Sequence, residues 1–303
     1  MNHQLKTVLI TGASGLIGTR LTEILLERGF DVRHLSRSKK GATVPTFAWD
    51  IEQQKIEQGA LDDVDCIIHL AGANVAEKRW TLKRKKEIID SRVLSTQLLY
   101  NQLSKHGHQV KSFISASAIG YYGFEERDKI FTENDRAGSD FLARVTKLWE
   151  EEVGKINQLE IPITKLRIGV VLAKGGGALK PIAKSVNWLA GAPLGSGEQY
   201  ISWVHIEDVC GIVLHLIERN LSGAYNVVAP QPVTNKQLTT RIARQLHKPM
   251  ILPAVPAFVL RLGLGEMADI VLEGSKVSAD KIISTGYKYR FADLNSALAD
   301  LLD

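Results

Sequence analysis

Cysteine is scarce: Cys66 and Cys210 are the only two in 303 residues, and both sit inside apolar runs. That excludes a disulfide framework and a Cys-rich metal centre, and leaves two reduced core thiols in a protein expected to be cytoplasmic. Long hydrophobic runs are also missing. The most apolar stretch, residues 251–272, is interrupted by Pro253, Pro256, Arg261, Glu266 and Asp269. It reads as a buried or capping helix, with contact to a membrane surface as the alternative. The opening MNHQLKTVLITG enters a strand almost at once, so no signal peptide is expected. Aromatics are absent from the one dense basic run, Lys83-Arg84-Lys85-Lys86, which falls in a helical repeat with Leu82, Ile88, Ile89 and Val93. The net charge of +5 therefore reads as a solvated helix face, and neither nucleic acid nor membrane is expected as a partner. No metal site is expected either. A chain of this length buries roughly 75% of its unfolded surface and can fold unaided.

What is present is an alternation of short apolar runs with helical repeats. TVLIT (7–11) is β-branched, Leu16, Leu21, Ile24 and Leu25 follow at helical spacing, and Gly29 stands where a left-handed C-cap belongs. Residues 32–36, 46–49, 65–70, 112–117 and 163–172 read as further strands, with helices over 82–103 and 141–156. Strands joined by helices pair in parallel through right-handed crossovers. Runs apolar at nearly every position, such as CIIHL, suit strands covered on both faces. The expected fold is α/β, a doubly wound parallel sheet. Beyond Leu172 come the loop Lys174-Gly175-Gly176-Gly177, a helix over 206–219, a strand at GAYNVV (223–228), several prolines and the strand-like YKYRF (287–291). Residues 1–173, completed by 203–229, are expected to form one domain. Residues 174–202 and 230–303 would form a smaller C-terminal lobe.

Between the first strand and the first helix stands TGASGLIG (11–18), with Gly12, Gly15 and Gly18 three apart. The first glycine permits an unusual backbone at the strand exit, the second lets a pyrophosphate approach, and the third packs helix on strand. Backbone N–H groups along Gly12, Ala13, Ser14, Gly15, Leu16 and Ile17, at the positive end of the helix dipole, would hold the anion. The flanking strand and helix supply the context that a bare glycine triplet lacks. The second strand then ends without the Asp or Glu that would bond an NAD ribose. It reads Ser36, Arg37, Ser38, Lys39, Lys40, hydroxyls and cations that suit a 2′-phosphate, so NADP is expected over NAD. A merely solvated basic loop is the alternative.

TGASGLIG, HLAGA (69–73), SASAIGYYG (115–123), GSGEQYISWVHIEDV (195–209) and GAYNV (223–227) together resemble the extended short-chain dehydrogenase/reductase family, also called the NAD-dependent epimerase/dehydratase family. ANVAEKRW (73–80), DSRVLSTQLL (90–99) and VPAFVLRLGLGEMADIVLEG (255–274) are similar to an atypical, sugar-nucleotide epimerase-like branch that ends in a domain of unknown function. The resemblance covers nearly the whole chain. It implies a Rossmann-type sheet with a smaller C-terminal substrate lobe. It also implies cofactor contacts at Leu70, Ala71, Gly72 and Ala73 on the adenine-ribose side, and at Ser115.

The departures bear on chemistry. Family members place a serine at the end of the fifth strand, which Ser117 fits, and then Y-x-x-x-K on the next helix. Lys147 can be laid on that lysine, or is a plain surface lysine, but the tyrosine position is then Ala143, which cannot move a proton. Arg92 replaces the usual helix asparagine; it could orient an anionic substrate, touch the cofactor phosphate or favour a tyrosine anion, or it belongs to a buried salt bridge. Ile201 replaces the arginine that commonly binds a nucleotide-sugar phosphate. Tyr121 and Tyr122 are the nearest groups able to replace the missing acid, if they are not simply core. His205 resembles a positioning residue before a helix, with catalysis by its imidazole as the alternative, and Tyr200 and Trp203 line a pocket or fill the core. The expected function is an NADP-dependent oxidoreductase or epimerase-like enzyme on a small polar substrate, as a monomer or homodimer. The alternative is an NADP-binding sensor or partner protein without turnover.

Overall fold

β-branched runs separated by helices build a parallel sheet in the computed structural model, which describes residues 5–124 and 129–303. MNHQ, the start of the N-terminal stretch, lies outside the described residues. In chain order the first half runs β1 (Thr7–Thr11), α1 (Leu16–Glu27), β2 (Asp31–Ser36), β3 (Thr46–Asp50), β4 (Lys55–Ile56), β5 (Cys66–His69), α2 (Leu82–His106), β6 (Ser112–Ala118), β7 (Ile130–Phe131), α3 (Phe141–Gly154) and β8 (Ile163–Ile168). A 3-10 turn, Ile119–Tyr122, follows β6. Then come β9 (Val170–Ala173), β10 (Gly176–Gly177), α4 (Leu179–Asn187), β11 (Tyr200–Ile201), β12 (Trp203–His205), α5 (Ile206–Glu218) and β13 (Gly223–Val227). The chain ends with β14 (Val233–Thr234), α6 (Asn235–Gln245), α7 (Ala257–Leu264), α8 (Asp269–Leu272), β15 (Lys276–Val277), α9 (Asp280–Ser284) and α10 (Leu294–Leu302).

The main sheet has eight strands in the order β13-β8-β6-β5-β1-β2-β3-β4. Strand order reverses between β1 and β5, so a crevice opens past their C-terminal ends, where doubly wound sheets bind ligands. β1 and β5 are buried at every residue, as strands covered on both faces must be. α1 buries Gly18, Leu21, Thr22 and Leu25, one helical stripe against the sheet. Each fully buried leucine there contributes about 2 kcal/mol. A second apolar core lies apart from the first, where Leu179 and Val186 of α4, Leu238 and Ile242 of α6, Leu298 of α10 and Trp203 of β12 meet.

Four expectations need correction. The predicted strand 163–172 is two strands, because Gly169 lies against Val228 and Ser202; a Cβ there would stand 2.8 Å from Val228 Cγ1. β9 then leaves the main sheet to pair with β12 and β10. β4 runs antiparallel to β3, an edge hairpin too short to show a period. YKYRF is not a strand, because the Asp208 carboxylate takes the N–H groups of Arg290 and Phe291 at 2.7 and 2.9 Å. Finally, α7, expected as buried or capping helix, buries none of its residues. The two cysteines are free and buried, and burial pushes both thiols up to about 12. Among the described residues no helix is long and apolar enough to cross a membrane.

Candidate cofactor cleft and active site

The loop between β1 and α1 is shaped by backbone contacts. Gly12 has φ +69°, and a Cβ on it would stand 2.8 Å from Ala71 N and Leu70 C, so only glycine lets the ends of β1 and β5 come together. A Cβ on Gly18 would stand 2.5 Å from Gly12 O and 2.6 Å from Ala13 Cα. Gly15 differs: its φ of −80° suits any residue, and the one neighbour of its Cβ would be Gly12 O at 3.2 Å. It caps α1 without a side-chain hydrogen bond, and the first turn holds no acidic residue. The leading N–H groups of α1 thus lack intrahelical acceptors and meet solvent at the positive end of the dipole. Ser14, Gly15 and Leu16 are exposed, Ile17 half-buried and Ala13 buried. A cavity of about 420 Å³ opens against Ser14, Gly15 and Leu16 and continues past Arg20 and Lys174 to Glu23, Glu207 and Asp300. This uncapped cradle fits a pyrophosphate.

At the end of β2, Ser36 is half-buried and its Oγ accepts from Ser38 N at 3.3 Å. Lys39 is held by Glu57 at 2.6 Å. Arg37 is exposed and its side chain has no hydrogen-bond or ion-pair partner among the described residues. At the exit of β5, Leu70 N and Ala71 N donate to Thr11 O and Thr11 Oγ1, each at 3.2 Å, and Ala73 N to Ser91 Oγ at 2.9 Å. Arg92 supports this turn from below. Its Nη1 donates to Ala73 O at 3.1 Å and Ile88 O at 3.0 Å, and its Cζ lies 5.1 Å from the Trp149 ring centre. A Cβ on Gly72 would meet that Cζ at 3.0 Å. Burial, and then the nearby Arg84, pushes the Arg92 guanidinium down. Among the described residues Arg92 has neither the salt bridge of the alternative reading nor a tyrosine partner. Arg84, read as part of a solvated face, is also buried, bonded to Asn74 O and paired with Glu77 and Glu87.

A second group crosses β6, β8 and β13, whose register aligns Ser117 with Arg167 and Arg167 with Asn226. Ser117 Oγ donates to Glu150 Oε1 at 2.7 Å. Arg167 grips the same carboxylate with two bonds, at 2.9 and 3.0 Å, the forked geometry that guanidinium supplies. Arg167 Nη1 also donates to the Tyr122 hydroxyl at 3.1 Å, which donates to Asn226 Oδ1 at 2.6 Å. Tyr122 is buried, and burial pushes its hydroxyl up to about 12 against the opposing pull of Arg167. Tyr121 is half-buried, with its ring centre 3.5 Å from Arg167 Cζ and its hydroxyl without a bond among the described residues.

The strand's alternation explains why the serines do not reach the cleft. Ser115 and Ser117 share the face turned toward the helices. Ser115 is fully buried and bonded to Ala116 O, which removes it from the expected cofactor contacts, while Ser117 meets Glu150 of α3. Lys147 is exposed and faces Glu151 at 3.9 Å, so it is a surface lysine. Ala143 is fully buried, leaving no room there for the tyrosine the family would place. His205 caps α5, its Nδ1 accepting from Glu207 N at 3.1 Å, and its ring lies against Phe291; burial pushes it down. It positions the helix. Trp203 fills the second core, and the half-buried Tyr200 carries Lys276 over its ring at 4.3 Å. Among the described residues no His, Cys, Asp or Glu cluster can hold a metal.

Glu150, Arg167 and Asn226 were not anticipated from sequence. Their signals were present: Arg167 is a charge between Leu166 and Ile168 in the apolar strand ITKLRI, and Glu150 sits between Trp149 and Val153 on the apolar face of α3. Each is the complement of the other.

Comparison with known proteins matches this geometry to a family. The model of the NAD dependent epimerase/dehydratase family matches residues 8–228, and a domain of unknown function (DUF1731) matches residues 255–301. Epimerase family protein YfhF of Bacillus subtilis (strain 168) is 34% identical over 299 residues, 97% of this chain and 97% of that protein. The crystal structure of human epimerase family protein SDR39U1 (isoform2) with NADPH superposes with a TM-score of 0.87 at 30% identity, covering 97% of this chain and 98% of that one. A nucleoside-diphosphate sugar epimerase from Corynebacterium glutamicum gives 0.80 at 30% identity, covering 98% of this chain and 58% of that one. The chain belongs to the NAD-dependent epimerase/dehydratase family, with the extended short-chain dehydrogenase/reductase fold.

Proposed function

We propose that this protein binds NADPH and acts as an oxidoreductase or epimerase-like enzyme on a small polar substrate. The observation that carries the reading is Arg37, exposed and unpaired among the described residues beside Ser36 at the end of β2, with no carboxylate in residues 36–40. The NADPH bound to human SDR39U1 agrees with it. Residues 12–17 would hold the pyrophosphate, Ser36 and Arg37 the 2′-phosphate, and residues 70–73 the adenine-ribose side. When bound, NADPH supplies hydride chemistry. Tyr121 is the proton donor in this reading, since its hydroxyl is unengaged among the described residues and it stands at the C-terminal end of β6. Arg167 braces its ring, and Ser117, Tyr122, Glu150 and Asn226 position Arg167. Arg92 holds the turn at Ala73. Residues 174–202 and 230–303, around the second core, would supply the substrate lobe, and two buried thiols suit the cytoplasm.

Titrating NADPH and NADH into the protein and its Arg37→Ala variant tests the cofactor assignment. NADPH should bind more tightly, and the variant should lose about 1.5–3 kcal/mol of NADPH affinity with NADH unchanged. Equal affinities in the unmodified protein would refute it. A second reading, a binder without turnover, is favoured by the sealed position of Ala143 and the surface position of Lys147. Hydride transfer from NADPH to any member of a carbonyl panel separates the two.

A further inference from the structure

We infer that the face formed by α4, the connection after α6 and α7 docks onto an anionic phospholipid surface. Its apolar side chains project into solvent: Trp188 is 77% exposed, Ile251 64%, Phe258 71% and Leu262 79%. Phe258 and Leu262 lie one helical turn apart on α7, which buries nothing. Lys180, Lys184 and Trp188 recur every four residues and are all exposed, so α4 presents two ammonium groups and an indole on one side. The loop after Trp188 is tied to the segment after Ile251 by Val255 N donating to Pro193 O at 2.8 Å and Gly195 N to Val255 O at 2.9 Å. The segments that carry the projecting groups are therefore joined side by side at residues 193–195 and 255.

Charge selects the occupant. Residues 179–197 contain Lys180 and Lys184 and no Asp or Glu, with Glu198 following; residues 235–265 contain Lys236, Arg241, Arg244, Lys248 and Arg261 and no Asp or Glu, with Glu266 following. Lys180, Lys184, Arg244 and Lys248 have no carboxylate partner among the described residues; at the margin, Arg261 pairs with Asp269. A second copy docked through the same face would set cations against cations. A shape-matched acidic protein would need a concave seat, whereas these side chains stand out singly. Protruding Trp, Phe and Leu tips ringed by Lys and Arg match the boundary of an anionic bilayer, where apolar tips enter the headgroup–acyl boundary and cations meet phosphate. The prolines and charges that prevent residues 251–272 from spanning a membrane do not prevent it from lying on one.

Flotation of the full chain with vesicles of neutral phosphatidylcholine, and with vesicles containing about 30 mol% phosphatidylserine, tests the assignment. The protein should float with the anionic vesicles only, and raising salt should release it. The variants Phe258→Ser with Leu262→Ser, and Lys180→Glu with Lys184→Glu, should each weaken this at least about tenfold. Unchanged NADPH titration would show that they remain folded. Lack of binding to anionic vesicles at low salt overturns the proposal. So does binding that survives both double variants, or a concentration-dependent dimer in sedimentation that Phe258→Ser dissolves.

Discussion

Tyr121 and Tyr122 are neighbours in sequence and opposites in situation. Tyr122 donates to Asn226 and accepts from Arg167 inside the core, so Tyr122→Phe leaves two buried partners unsatisfied. It should cost about 1–3 kcal/mol of stability. Tyr121 makes no such bond, so Tyr121→Phe should change stability by about 0.5 kcal/mol or less. It should cut turnover about 10²-fold at unchanged NADPH affinity. Thermal unfolding beside steady-state rates separates the two, and the reverse pattern would make Tyr122 the acid. His69 gives a pH test. It is fully buried, with Nδ1 against Thr11 Oγ1 at 2.7 Å and Nε2 against Thr96 Oγ1 at 3.1 Å. Burial first, then Arg92, brings it down to about 3. The unfolded chain protonates this histidine below about 6.5, while the folded chain stays neutral until far lower pH. Its contribution to stability is intact above that value and falls by about 1.4 kcal/mol per pH unit below it. Denaturant unfolding between about pH 7 and about pH 5 should show this slope, and His69→Gln should flatten it by about one proton.

At the level of elements, the glycine loop separates folding from binding. Gly18→Ala drives a Cβ into the backbone of Gly12 and Ala13, so α1 must shift, at a cost of about 2 kcal/mol or more. Gly15→Val meets only Gly12 O at 3.2 Å with an ordinary φ. It should fold normally yet lose NADPH binding about 10²-fold, because the valine fills the cradle. Unfolding curves and cofactor titration on both variants check the pair. What was legible in sequence follows the same division. β1, α1 and the glycine spacing are local and were read correctly. The break at Gly169 is imposed by Val228 and Ser202, distant in sequence, and YKYRF alternates like a strand only until Asp208 claims its N–H groups. Ser117 was found, but its face was not, since residue type carries no parity. Glu150 and Arg167 each looked anomalous alone, and only the packing of α3 on β8 joins them.

For the whole molecule, Asp208 connects the C-terminal segment to α5. It is fully buried and accepts from Arg290 N, Phe291 N and the Tyr287 hydroxyl. Asp208→Ala leaves these donors unpaired and should lower global stability by about 3 kcal/mol. Hydrogen exchange should rise over residues 287–302, while β1 at residues 7–11, buried and paired on both sides, stays protected; uniform exchange across the chain would contradict this. The doubly wound sheet was readable because alternating strands and helices leave few topologies. The second core was not, since α4, α6 and α10 come from segments whose pairing no local pattern specifies.

The missing cap of α1 reaches beyond the site. Helices that satisfy their first turn from their own sequence gain about 1 kcal/mol from it, and in the proposed cofactor site that role would fall to the bound pyrophosphate. Folding and nucleotide supply would then become a single equilibrium. Above the dissociation constant, each tenfold rise in free cofactor adds about 1.4 kcal/mol to the native state. In a cell that clears unfolded chains, the steady-state amount of this protein would therefore record how much cofactor is free.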